Sequence, residues 1–101
     1  MIANREIKLY TYIFSELLSD SEDKSKAIDE LGVLASRLNR DTKLMDFLSS
    51  SEIPQNEKSD YIEKKFSKIY SFKEVINFLK LLVSNNRHTD IKEIYEQLIN
   101  Y

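Results

Sequence analysis

One glycine and one proline in 101 residues constrain this chain more than any other feature. Tight hairpins and phosphate-cradling loops need glycine wherever φ turns positive, and Gly32 alone is available for that purpose. A sheet-rich fold and a glycine-rich nucleotide loop are therefore excluded. Leu, Ile, Lys, Glu and Ser dominate, as they do in all-helical proteins. The length fits one domain, which buries about two thirds of its unfolded-chain surface. The expected fold is all-α, a single compact six-helix bundle over residues 1–101.

Six segments carry apolar residues at helical spacing. The first, about residues 3 to 18, places Ile7, Tyr10, Ile13, Phe14, Leu17 and Leu18 on one face. After the polar turn "SDSEDKSK", the second runs from about 22 to 39 with Ala27, Ile28, Leu31, Leu34, Ala35 and Leu38. Gly32 inside it predicts a closely approaching neighbour, since glycine otherwise weakens a helix by up to about 1 kcal/mol. Asp41 is placed to cap a short third helix bearing Leu44, Met45, Phe47 and Leu48. Pro54 marks the start of a fourth, with Tyr61, Ile62, Phe66 and Ile69. Ser71 and Glu74 have capping-box spacing for the fifth, with Tyr70 and Val75 as a hydrophobic staple. Asp90 and Glu93 repeat that spacing for the sixth, whose stripe is Ile91, Ile94, Tyr95, Leu98 and Ile99. Between the last two helices, "NNRHTD" reads as a corner. Asn86 takes the left-handed position, Arg87 faces the negative helix end, and His88 is an exposed bystander.

Function classes narrow by elimination. With no cysteine there is neither a disulfide framework nor a thiolate nucleophile. Fifteen basic and seventeen acidic residues give a net charge of −2 without a long block of either sign, which disfavours nucleic acid as a partner. Lys80 interrupts the longest apolar run, so no segment approaches the roughly 20 residues of a membrane span. Arg5, Glu6 and Lys8 ahead of the first apolar stretch read as neither signal nor transit peptide. One histidine without cysteine is a poor zinc site. The acidic turn at Asp20, Glu22 and Asp23 lacks the glycine a calcium loop needs. Serines 49 to 51 have no histidine near them in sequence. The expectation is therefore no catalytic residue, no metal and no cofactor. A small helical enzyme of the chorismate mutase type would need converging cations, but Arg5, Arg37, Arg40 and Arg87 are scattered. A death-fold-like adaptor, also six-helical, is the alternative binding module.

The informative anomaly is a second apolar face. The fifth helix has Phe72, Val75, Ile76, Leu79, Leu82 and Val83 on one side, with Phe78 and Leu81 outside that stripe. With Glu74 and Asn85 they form an i, i+4, i+7, i+11 ladder with polar ends. Arg5, Leu9, Tyr12 and Glu16 repeat the ladder on the first helix. Pattern alone allows two readings: helices packed on both sides, or a groove for a partner helix.

The blocks "MDFLSSSEIPQNEK", "VINFLKLLVSNNR" and "IKEIYEQL" resemble the N-terminal domain of the F-type ATP synthase delta subunit family, whose mitochondrial relative is the oligomycin-sensitivity-conferring protein. The shared features are Phe47-Leu48 with Ser49 and Ser50, Ile53, Glu57-Lys58, Asn77-Phe78-Leu79, Leu82 and the Asn85-x-Arg corner. The resemblance implies a six-helix bundle acting as a non-catalytic stator component. It binds the N-terminal helix of an alpha subunit between helices one and five, the two with unexplained second faces. The implied contacts are Leu9, Tyr12, Phe78 and Leu81, with Ile13 and Asn85 at the margins. Where the family's first helix reads tyrosine-alanine-x-alanine-leucine-phenylalanine, this chain has Leu9, Tyr10, Thr11, Tyr12, Ile13 and Phe14, which implies a groove that is narrower or shaped for a different partner helix. Ser51 stands where proline is common. The family continues into a smaller C-terminal region that engages the stalk b subunit, and the chain ends before it. An excised or truncated domain is expected, one that does not complete the stator by itself. The implied location is the cytoplasmic face of a bacterial inner membrane, or the matrix side in mitochondria, without membrane insertion.

Overall fold

The computed structural model describes residues 5–100. Among them every regular element is helical: α1 (Arg5–Leu17), α2 (Lys24–Arg40), α3 (Thr42–Ser49), α4 (Gln55–Phe66), α5 (Lys73–Ser84), a 3-10 turn (His88–Asp90) and α6 (Ile91–Ile99). The six-helix bundle is thus the observed architecture. The expected starts of α1 at residues 3 and 4 lie outside the described residues. A Cα radius of gyration of 12.9 Å matches a single folded domain of this length. No helix among the described residues is long and apolar enough to cross a membrane.

The helices pair in the order that their apolar faces require. α6 lies against both α1 and α2, α4 against α5, and α5 also touches α1 and α2. Between α2 and α6 a Cβ at Gly32 would stand 2.6 Å from the Tyr95 ring, so any side chain there would require that half-buried ring to move. The glycine is the close approach that its place inside a helical stripe predicts. Arg37 on α2 lies over the Phe66 ring at 5.4 Å, a cation–π contact that ties α2 to α4.

Helix ends are satisfied by a mixture of local and distant partners. The Asp41 side chain accepts from Leu44 N–H at 3.0 Å, the expected cap of α3. Pro54 immediately precedes α4, and its carbonyl accepts from Glu57 and Lys58. The capping box expected at Ser71 and Glu74 does not form. Phe72 is the cap residue, without a side-chain cap bond. The Glu30 carboxylate of α2 instead accepts from Ser71 N–H at 3.0 and 3.1 Å and from Phe72 N–H at 3.3 Å. An anion at a helix N-terminus is favourable whatever element supplies it, and here a carboxylate 41 residues away does. The second expected box is also absent. Asp90 makes no side-chain cap bond and closes the 3-10 turn, facing Arg87 at 3.7 Å.

The corner after α5 follows the expected pattern. Asn86 has φ of 57°, the left-handed region, and is the one non-glycine residue with positive φ among those described. Arg87 N–H donates to Leu82 O at 2.7 Å and Asn86 N–H to Val83 O at 3.1 Å, the paired bonds of a Schellman stop. Asn86→Gly should leave the melting temperature unchanged or higher, because glycine is unstrained there. Asn86→Val should cost about 1–2 kcal/mol, measured by denaturant unfolding.

Candidate functional site

Phe78 sets the geometry of the α1–α5 seam. Its ring lies 4.7 Å from that of Phe14, and 6.5 Å from that of Tyr10 in an edge-on arrangement. Glu6 in the first turn of α1 meets Arg87, just past α5, at 3.2 Å. Positions therefore ascend along α1 as they descend along α5, so the pair is antiparallel. Phe78 is fully buried. Its place outside the main stripe of α5 is therefore not a place in water: it lies beneath the seam. At about 100° per residue, the buried arc of α5 from Phe78 round to Ile76 spans about 160°, wider than a one-sided stripe. α5 carries neighbours on several sides, and α1 covers the side Phe78 occupies.

Helical geometry then sorts the remaining candidates. Ile13 is seven residues from Glu6, so the two share the α1 face that is turned to Arg87. Leu9, Ile13 and Leu17 form an i, i+4, i+8 ridge along that side. Leu9 is 52% exposed, Leu17 is 43% exposed and Ile13 is half-buried. On α5, Asn77, Leu81 and Asn85 form an i, i+4, i+8 ridge beside Phe78, and Asn77 and Leu81 also line a cavity with Gln55, Asn56 and Ser59 of α4. Leu81 is half-buried, and both asparagines are exposed. Tyr12 is 56% exposed but stands two residues from both Tyr10 and Phe14, hence about 160° round the helix from each. It faces away from α5, at the outer edge of the α1 surface. Tyr10, one of the two tyrosines expected to narrow a groove, is turned inward and buried against Phe78.

Two features escaped the pattern reading. Leu17 was expected in the buried stripe, yet Leu18 takes the core position and leaves Leu17 on the ridge. His88, expected to be exposed, is fully buried. Its Nε2 hydrogen-bonds Ser49 Oγ at 2.8 Å, across 39 residues of sequence, and its Nδ1 is buried without a partner. Burial pushes the His88 imidazole below its ordinary pKa. The Lys58 charge acts in the same direction and Asp90 opposes it. The absence of a hydrogen-bond partner on Nδ1 leaves the Ser49–His88 pair without the orienting group that nucleophilic catalysis uses. Among the described residues no group of three or more His, Cys, Asp or Glu side chains is arranged to hold a metal ion.

The class so defined is an all-helical bundle with an apolar ridge on α1 and a mostly polar ridge on α5, centred on Leu81, beside an aromatic floor. Residues 10–101 match the family model described as ATP synthase delta (OSCP) subunit, and the chain belongs to that family. It is 35% identical over 69 residues to the ATP synthase subunit delta of Alkaliphilus metalliredigens (strain QYMF). That match covers 68% of this chain and 38% of the relative's length. No solved structure matches significantly.

The two kinds of seam residue should separate in unfolding measurements. Phe78→Ala should cost about 3–5 kcal/mol, as for a core aromatic. Leu9→Ala should stay within about 0.5 kcal/mol of the unsubstituted protein, as for a surface position.

Proposed function

We propose that the chain is a non-catalytic stator component of F-type ATP synthase that seats the N-terminal helix of an alpha subunit along the α1–α5 seam. The observation that carries the reading is the ridge pair, in which Leu9, Leu17 and part of Leu81 remain in water above a floor of Phe78 and Tyr10. An amphipathic helix docks through apolar residues at i, i+3, i+4 and i+7, and two antiparallel ridges offer such residues a trough. Leu9, Ile13 and Leu81 supply the apolar walls. Asn85 supplies a polar stop at one end, Phe78 supports the trough from below, and Tyr12, on the far side of α1 from α5, is a contact for the partner only where it reaches beyond the Leu9 ridge. Family membership and the delta-subunit relative support a place within the ATP synthase. In that setting the domain ties the catalytic head to the peripheral stalk, so that the head does not turn with the rotor. Contact with the stalk b subunit belongs to the family's further C-terminal region. The complex places the domain at the cytoplasmic face of a bacterial inner membrane, held there by its partners.

Titration with the alpha subunit's N-terminal peptide tests the reading. Saturable binding is expected, weakened at least about tenfold by Leu81→Asp, equivalent to about 1.4 kcal/mol, with helical melting retained. Tyr12→Ser should weaken binding less than Leu81→Asp does. Absence of saturable binding, or equal loss with both substitutions, would remove the seam from consideration.

A further inference from the structure

His88 occupies a position that the stator role does not use. It is the single histidine of the chain, fully buried at the α5–α6 corner. One ring nitrogen bonds Ser49 at the end of α3, and the other is sealed in without a partner. We propose that the His88–Ser49 contact is a proton-sensitive latch, holding the α5–α6 corner against the end of α3 while the imidazole is neutral and releasing it on protonation.

The neutral ring fits this site and the charged ring does not. Either neutral tautomer satisfies the 2.8 Å contact, because the Ser49 hydroxyl both donates and accepts. The imidazolium carries two N–H donors, and that on Nδ1 would be a buried positive edge with nothing to receive it. The surrounding charges do not compensate. From α4 comes Lys58, 4% exposed and of like sign. The corner itself supplies Arg87 and Asp90, which face each other at 3.7 Å, and α1 supplies Glu6, held by Arg87 at 3.2 Å. The last turn of α5, residues 81 to 84, carries no titratable side chain, and Lys92 and Glu93 at the start of α6 are exposed. α3 contributes the uncharged Ser49. The lowered pKa of His88 agrees with this arrangement.

The direction follows from linkage. With the folded pKa below the unfolded value of about 6.5, the unfolded or opened chain takes up the proton first. The stabilising contribution is complete above about pH 6.5 and is lost as pH falls through the interval between the two values. Because Arg87 joins this corner to Glu6, release also loosens the first turn of α1 at the seam.

A lone histidine makes the test direct, since its imidazole C–H signal needs no assignment. NMR titration of the intact chain should give a midpoint below about 6.5, and Lys58→Met should raise that midpoint. The protection factors of the Asn86, Arg87 and Asp90 amides, taken relative to the intrinsic exchange rate at each pH, should fall on acidification across the same interval, ahead of those of the core amides of α2. His88→Gln, which can bond Ser49 without titrating there, should remove that loss of protection. A wild-type midpoint at or above about 6.5 overturns the latch, as does corner exchange that follows global unfolding at every pH. These readouts require no partner, so failure of the latch is distinct from failure of the seam as a binding site.

Discussion

The contact of Phe78 with Phe14 and Tyr10 is the interaction on which the arrangement of this bundle depends. Three aromatic side chains meet where α1 crosses α5, all of them buried. Burying one such ring is worth roughly 1.5–3 kcal/mol, and aromatic pairing adds about 0.5–1.5 kcal/mol. That contact fixes the rotation of both helices. With Phe78 inward, Leu81 and Asn85 must lie at the lip of the seam. With Tyr10 and Phe14 inward, the Leu9–Ile13–Leu17 ridge lies beside them, along the face of α1 turned to Arg87. The candidate binding surface is thus a geometric consequence of the core beneath it.

Polar groups are satisfied by joining elements distant in sequence. The Glu30 carboxylate receives the amides at the start of α5, so α2 and α5 are positioned by one carboxylate as well as by packing. Arg87 carries the Schellman stop of α5 in its backbone, while its side chain reaches both Glu6 and Asp90. His88 next to it bonds Ser49, so this corner connects α1, α3, α5 and α6 within four residues. Such a corner can transmit a local change in charge to the seam, because α1 and α5 meet there.

Much of the fold was legible along the chain, because helix formation and termination are local. The single glycine and proline, the 3.6-residue stripes and the Asp41 cap marked out six helices, the second within about two residues of its observed bounds. Asn86 was readable as a helix stop, since its side chain tolerates positive φ. Gly32 announced a close neighbour without naming it, and Tyr95 proved to be that neighbour. The capping boxes failed for a reason that spacing cannot reveal. The amides at residues 71 and 72 had a stronger partner in Glu30, and Asp90 was drawn into a 3-10 turn.

The sequence by itself determined the helical class, the number and order of the helices and the surplus of apolar side chains on α1 and α5. Tertiary structure decided which of those side chains meets water. A helical wheel orders residues by angle but does not say how many neighbours surround the helix. Phe78 was therefore indistinguishable from Leu81 until α1 covered it. Ile69 and Ile99 illustrate the converse: both continue apolar stripes, yet both are left exposed, Ile69 beyond the end of α4 and Ile99 at the last turn of α6. The Ser49–His88 contact joins residues 39 positions apart, and only the packing of α3 against the corner creates it. Burial and long-range pairing depend on where whole elements stand in three dimensions, whereas helix propensity and capping depend on neighbours a few residues away.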